Sequence, residues 1–246
     1  GLPGLFVAAL MYYTVREPAR KGVGQDLTEI PLTNVLSYLL QRKQAYLGHI
    51  LGISIFIMVV YALNLWGPTY FIRTFEYTRP EAGWVFGLVM ISAGTFGLLT
   101  AGLLSDKLMA RGIHDAYIRM ILFSMLAIMP CAIALGFIEN DKLAIVAMAF
   151  AIYFSAFQGG ISGGALQLMT PNRMRGQVTA LFLLAANLIG LGLGPTVIAM
   201  VTDYIFMDEA AIGKSIALCT LLLCPTGAFI LWRSMPAIQK QLTEQG

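Results

Sequence analysis

The sequence predicts an all-α membrane protein built around a bundle of six transmembrane helices. Only 12% of the 246 residues are charged, whereas soluble domains carry about a quarter. The charges are also segregated, because six long stretches contain no Asp, Glu, Lys or Arg, and each is long enough to cross a bilayer as a helix. We number them spans 1 to 6, and they cover residues 44–72, 82–105, 120–138, 143–172, 176–202 and 215–232.

The remaining segments define the expected domain organisation. A seventh charge-free stretch, residues 1–15, is too short to cross a bilayer and lacks the basic start and small-residue end of a signal peptide. We expect it to be the end of a truncated transmembrane helix, so that the chain is a fragment or a truncated reading frame. A cytoplasmic linker is expected over 16–43, the six-helix bundle over 44–232 and a cytoplasmic tail over 233–246.

The second part of the linker predicts an amphipathic helix. Leu32, Val35, Leu36, Leu39 and Leu40 recur at helical spacing, with polar residues between them. Such a helix either lies on the cytoplasmic surface of the membrane or packs on the underside of the bundle, and the sequence leaves both open.

The distribution of Lys and Arg predicts the orientation. If residues 1–15 run from outside to inside, only Arg73, Arg79, Lys142 and Lys214 fall outside, and the other Lys and Arg fall inside. Cytoplasmic loops of membrane proteins carry this excess of cations. We therefore expect an integral protein of the plasma (bacterial inner) membrane with a cytoplasmic C-terminus. The net charge of +3 reflects this bias, and no nucleic-acid partner is expected.

The sequence argues against an enzyme. It contains no nucleophile–base set, metal-ligand cluster or phosphate-binding loop, and every Asp and Glu lies at a membrane boundary or beyond it. We expect no catalytic residue, cofactor or metal. The three cysteines fall within spans and are expected to pack there. His49, at the inner end of span 1, is either an interfacial side chain or part of a proton relay.

The side chains within the spans that could bind a substrate are uncharged polar and aromatic ones. Each one alone is explained by hydrogen bonding between helices, but as a group they predict a central cavity. The predicted substrate path consists of Tyr61, Asn64, Tyr153, Phe157, Gln158 and Asn187.

Two spans carry features that weaken a helix. Gly67 and Pro68 predict a kink in the outer half of span 1. Span 4 contains Gln158-Gly159-Gly160-Ile161-Ser162-Gly163-Gly164, whose four glycines suit either a helix that moves or lines the substrate path, or a helix that packs closely.

The loop after span 2 carries the strongest motif, Gly102-Leu103-Leu104-Ser105-Asp106-Lys107-Leu108-Met109-Ala110-Arg111-Gly112. It resembles the loop pattern of the major facilitator superfamily, in which Gly, three residues, Asp and a basic residue precede further basic residues. Met109 and Ala110 stand where that pattern has a Gly and a basic residue. The resemblance implies a cytoplasmic gate that consists of Asp106, Lys107, Arg111, Arg173 and Arg175; the alternative is an ordinary charged turn.

A second resemblance indicates one branch of the superfamily. The runs Pro171-Asn172-Arg173-Met174-Arg175-Gly176-Gln177-Val178-Thr179-Ala180 and Asn187-Leu188-Ile189-Gly190-Leu191-Gly192-Leu193-Gly194-Pro195 resemble spinster-type members, as does Gly1-Leu2-Pro3-Gly4 leading to Arg16-Glu17-Pro18. This resemblance implies helices seven to twelve of a twelve-helix fold, preceded by the end of helix six. It also implies that proton-linked residues lie in an N-terminal half.

Together these observations predict a secondary active transporter that works by alternating access. The expected substrate is an amphipathic or lipid-like small molecule, and proton coupling would depend on the N-terminal half. The expected partners are the lipid bilayer, the substrate and that N-terminal six-helix half. The alternative is a non-transporting membrane scaffold or assembly subunit.

Overall fold

The structure, a computed structural model, describes residues 2–15 and 30–245. These residues form helices and no strand. They belong to two compact units, 1–31 and 32–246. The first contains helix α1, Leu2–Thr14. The first part of the predicted linker, including Arg16, Arg20 and Lys21, lies outside the described residues.

The second unit contains the six predicted spans, which confirms the expected fold class. Each is long and apolar enough to cross a membrane, and in chain order they are Lys43–Phe75, Arg79–Ala110, Ala116–Ala134, Asp141–Leu168, Asn172–Phe206 and Glu209–Glu244. Several helices extend beyond their charge-free stretches, because a helix continues past the hydrocarbon core while its charged ends reach water. At 1.5 Å per residue, the 33 residues of span 1 extend about 50 Å.

Span 1 is the most buried helix of the bundle. Among the 18 most apolar consecutive residues of span 1, 67% are buried, whereas the corresponding share in span 2 is 17%. The Tyr46 hydroxyl donates to the carbonyl of Met169, after span 4, at 2.6 Å, and the Tyr70 hydroxyl donates to the carbonyl of Leu135, after span 3, at 2.9 Å. Phenol groups at both ends of span 1 thus bind backbone groups of its neighbours.

Glycines permit the closest approaches between spans. A Cβ at Gly97 of span 2 would overlap the backbone of Tyr153 in span 4, and one at Gly194 of span 5 would overlap the backbone of Met58 in span 1. Small residues allow membrane helices to approach in this way. Span 2 therefore packs on span 4, and span 5 on span 1.

Local departures from the α-helix lie in spans 2 and 5. Wider π-helical turns occur at Met90–Gly94, Ala186–Leu191 and Val201–Phe206. The glycine-rich part of span 4 is instead continuous α-helix, and Gly163 and Gly164 have open space beside them rather than a packed neighbour. The sequence predicted neither the position nor the existence of the π-helical turns.

Helix α2, Leu32–Gln41, packs on the bundle through one face. Val35 and Leu39 are buried, and the Tyr38 hydroxyl lies 3.4 Å from Oε1 of Gln241 in span 6. Of the two sequence alternatives, this contact favours packing on the underside of the bundle. The opposite face exposes three leucines at four-residue spacing: Leu32, Leu36 and Leu40.

The contact between spans 1 and 5 leads to a stability prediction. Gly194→Ala is expected to lower the free energy of unfolding by about 1–3 kcal/mol, because the new methyl group overlaps the Met58 backbone. Thermal unfolding of the full-length protein in detergent measures the effect. Gly192→Ala is the matched control, since its Cβ would lie 3.8 Å from the nearest atom. Equal melting temperatures for the two variants would contradict the assignment.

Candidate functional site

A cavity of about 260 Å³ lies among spans 1, 4 and 5. Three residues of the predicted substrate path meet there: Tyr61, Gln158 and Asn187. The Tyr61 hydroxyl donates to Oδ1 of Asn187 at 3.3 Å, which joins spans 1 and 5 across the cavity. The wall thus presents a phenol and two amides.

The π-helical turn of span 5 supports this arrangement. Asn187 lies within it, and its Nδ2 donates to the carbonyl of Leu183 at 2.8 Å, which leaves Oδ1 for Tyr61. The sequence analysis named Ser162 only within the glycine-rich segment and missed Phe182 and Leu183; all three also line the cavity. Helical spacing was the available signal, because Ser162 follows Gln158 by four residues and Leu183 precedes Asn187 by four.

The other three predicted residues do not line this cavity. Asn64 turns back on its own helix, where Nδ2 donates to the carbonyl of Val60 at 2.8 Å. Tyr153 lines a separate, largely apolar groove of about 330 Å³ between spans 2 and 4, together with Phe96. Phe157 is buried, and its ring packs against that of Tyr153 with 5.4 Å between the centroids.

The predicted gate residues lie at the predicted cytoplasmic end. Asp106 accepts a hydrogen bond from the Tyr117 hydroxyl of span 3 at 2.9 Å. Nε of Arg175 donates to the carbonyl of Thr170 at 3.0 Å. In the part of the chain that the structure describes, Asp106 forms no ion pair with Lys107, Arg111 or Arg175.

The sequence analysis did not single out Asp115, which joins span 3 to span 6 at the same end. Its buried carboxylate accepts hydrogen bonds from Nε of Arg119 at 2.8 Å and Nε2 of Gln239 at 2.7 Å. Burial alone raises the pKa of this carboxyl, but the two hydrogen bonds and the charge of Arg119 outweigh burial and hold the pKa below its ordinary value.

Two polar contacts connect the predicted outer ends. The Tyr77 hydroxyl donates to Oδ2 of Asp141 at 2.9 Å, and this bond raises the pKa of the Tyr77 phenol. Arg73 pairs with Glu209 at 3.2 Å. The end of span 1 is thereby tied to the starts of spans 4 and 6.

Six membrane-length helices, three of which line a cavity whose lining has no charged side chain, define a polytopic membrane protein. The family model of the Major Facilitator Superfamily matches residues 1–195. The chain belongs to the Major Facilitator Superfamily, a family of secondary transporters rather than enzymes.

The chain is also similar to a curated protein of Mycolicibacterium smegmatis (strain ATCC 700084 / mc(2)155) described as an MFS-type efflux pump. The two are 26% identical over 211 residues, which cover 84% of this chain and 48% of the relative. The chain thus spans about half the length of that relative.

Two solved structures share the fold. Both are of a bacterial homologue of the human lysosomal transporter Spinster in inward-facing conformations. The unoccupied form aligns with a TM-score of 0.60 and 18% identity over 99% of this chain and 58% of the other. The occupied form aligns with a TM-score of 0.55 and 17% identity over 99% and 56%. The similarity to spinster-type proteins that the sequence indicates is supported at the level of the fold.

The Asp115 cluster leads to a pH-dependent stability prediction. Asp115→Ala is expected to lower the free energy of unfolding by about 1–3 kcal/mol at neutral pH, because it removes two hydrogen bonds to a buried carboxylate. The pKa of this carboxyl is lower in the folded than in the unfolded state, so the stabilisation is complete above its ordinary pKa of 3.8. It is lost as the pH falls through the folded-state pKa.

Melting temperatures of the wild type and Asp115→Ala measured across pH test this expectation. The difference should be largest near neutral pH and shrink below about pH 3.8, the ordinary Asp value. Glu139→Ala, which removes an exposed loop carboxylate, is the control and should change little. A difference that does not vary with pH would contradict the role given to the carboxylate charge.

Proposed function

We propose that the full-length protein is a secondary active transporter that works by alternating access on an amphipathic or lipid-like small molecule. The observation that carries this proposal is the cavity among spans 1, 4 and 5, where Tyr61, Gln158 and Asn187 meet on an open face of a bundle of membrane-spanning helices. The scaffold alternative offers no reason for such a cavity, and the family consists of transporters.

The chemistry of the cavity wall supports the substrate class. Its lining contains one phenol, two amides and a hydroxyl among aliphatic and aromatic side chains, and no Asp, Glu, Lys or Arg. Apolar walls with a few placed polar groups are typical of small-molecule sites. A molecule with an apolar body and a hydrogen-bonding head fits this wall, and any countercharge for an ionic head must come from other helices.

An N-terminal six-helix half is the proposed partner. Span 2 exposes large apolar side chains, among them Ile91, Phe96 and Leu103, and the relatives are about twice as long as this chain. Proton coupling is assigned to that half, because the lining of the cavity holds no carboxylate.

The orientation and the gate complete the proposal. The excess of Lys and Arg supports a plasma-membrane protein with a cytoplasmic C-terminus. Asp106, Lys107, Arg111, Arg173 and Arg175 are proposed to form the cytoplasmic gate. The hydrogen bond from Tyr117 to Asp106 supports this role, since it holds a carboxylate at the end of span 2 where a cation of the other half can reach it.

Gln158→Leu is expected to reduce transport about three- to tenfold, because it removes one neutral hydrogen-bonding group of about 0.5–1.5 kcal/mol from the cavity. The rate is measured with the full-length protein in liposomes and a fluorescent dye that carries one alkyl chain. Gln167→Leu, an exposed position on the same helix outside the cavity lining, is the matched control. Equal rates for both variants would contradict the assignment of the substrate path.

Asp106→Asn is expected to favour the inward-open state about tenfold, the effect of losing about 1.4 kcal/mol from the closed gate. Cysteines placed at Gln167 and Trp84, exposed residues near opposite ends of the bundle, report the change through their labelling rates. Labelling should rise at Gln167→Cys and fall at Trp84→Cys. Asp203→Asn, an exposed carboxylate at the other end, should leave both unchanged. Unaltered labelling in Asp106→Asn would refute the gate.

A further inference from the structure

Span 1 buries an ionisable side chain that lies outside both the cavity lining and the gate. His49 is close to the start of the span at Lys43, and none of its surface is exposed. Neither ring nitrogen, Nδ1 or Nε2, has a hydrogen-bond partner among the described residues. Buried polar atoms are nearly always hydrogen-bonded, so an unpartnered imidazole requires an explanation.

The wall of the cavity lies directly beside His49. Phe182 of span 5 lines the cavity, and its ring centroid is 5.8 Å from that of His49. Ser162 of span 4 also lines the cavity, and its backbone adjoins the imidazole without forming a hydrogen bond of accepted geometry. Separation of Phe182 from His49 would therefore open the imidazole to water in the cavity. This chain alone buries His49 completely, so that burial requires no other helices.

The surrounding elements offer no negative charge to a protonated His49. The ionisable groups that they carry at this end of the bundle are mostly cations and phenols: Tyr38 of α2, Lys43 and Tyr46 of span 1, Arg173 and Arg175 of span 5, and Arg233 and Lys240 of span 6. Glu244, a carboxylate at the end of span 6, binds Gln241 and Lys240 instead. Span 4 carries only Tyr153 between Lys142 and its end. No carboxylate of the described chain pairs with His49. Apart from the adjoining Ser162 backbone, water is the ligand left for an imidazolium here.

We propose that His49 is a proton-binding site whose occupancy opens the seal between spans 1 and 5. While the imidazole is neutral, its dry packing against Phe182 is stable. When a proton from water binds the free ring nitrogen, hydration of the imidazolium is favoured, because a buried charge without a counter-charge is strongly unfavourable. The state in which Phe182 withdraws is then favoured, and release of the proton to water restores the seal.

This inference rests on the proposed alternating-access function. It adds a residue of this chain whose protonation controls the opening of the contact between spans 1 and 5. One proton is taken up on opening, so the ratio of open to closed seal changes by up to about tenfold per pH unit where His49 titrates. Lower pH favours the open seal.

The test uses the full-length protein in lipid nanodiscs, with its native cysteines replaced by alanine and Ala186, a buried residue of the cavity wall one turn after Phe182, replaced by cysteine. The labelling rate by a charged maleimide is measured between about pH 5 and 8, the range in which histidine ordinarily titrates. The rate with His49 is divided by the rate in His49→Gln at each pH, which cancels the titration of the thiol. The ratio is expected to rise up to tenfold per pH unit as the pH falls. A constant ratio overturns the proposal.

His114, an exposed histidine in the loop before span 3, provides the control. His114→Gln should keep the wild-type profile, and loss of the profile in that variant overturns the assignment to His49. If His49→Gln does not fold, His49→Phe keeps an aromatic ring against Phe182, and it should give the same flat profile.

Nuclear magnetic resonance of ¹⁵N-labelled histidine measures the titration directly. The His49 signal, identified by its absence in the His49 variant, should titrate over the pH range in which labelling changes. A ring that keeps one protonation state while labelling changes overturns the proposal. Dye transport that keeps its pH profile in His49→Gln also overturns it, but leaves the transporter assignment intact. Absence of dye transport by the wild type overturns the transporter assignment and leaves the titration measurement valid.

Discussion

The exclusion of water from the bilayer core is the constraint on which this structure depends. A backbone group in hydrocarbon has no water to bind, so each span must satisfy its own N–H and C=O groups within a helix. The spans remain helical even through Pro68, Pro130 and Pro225. Polar side chains obey the same constraint, as when Thr100 donates to the carbonyl of Phe96 one turn earlier. Charged groups are left to the ends of the helices.

This constraint explains why the fold could be predicted from the sequence more fully than the site. Charge-free length depends on composition, so the six spans could be located without knowledge of their packing. The meeting of Tyr61 with Asn187 depends on the register between two helices, which composition does not determine. Asn64 was expected to face the substrate path because its amide would be costly in hydrocarbon. Its amide instead donates to a carbonyl of its own helix, and the sequence does not distinguish this arrangement from one that faces the path. The π-helical turns of spans 2 and 5 were likewise not predicted, because the glycine-rich segment directed attention to span 4.

Span 5 combines close packing with irregular geometry where it faces span 1. Gly194 packs on the backbone of Met58, and the indole nitrogen of Trp66 donates to the carbonyl of Pro195 at 3.0 Å. A turn away, the π-helical segment Ala186–Leu191 carries Asn187 into the cavity. Span 5 is thus anchored to span 1 on the C-terminal side of the π-helical segment Ala186–Leu191. Phe182 lies on the other side, where the helix meets His49.

The absence of fixed charge in the cavity wall determines what a single proton can do there. An Arg at position 49 would stay charged over the physiological range and would need hydration in every state, so it could not alternate between a dry and a wet environment. A Phe would pack equally well in the dry state but could never require water. Histidine meets both demands, because it is neutral or charged within about pH 5 to 8. The cavity wall beside His49 holds only amides, a phenol and a hydroxyl as polar side chains, so no charge in it compensates that change, and the proposed separation of spans 1 and 5 depends on this.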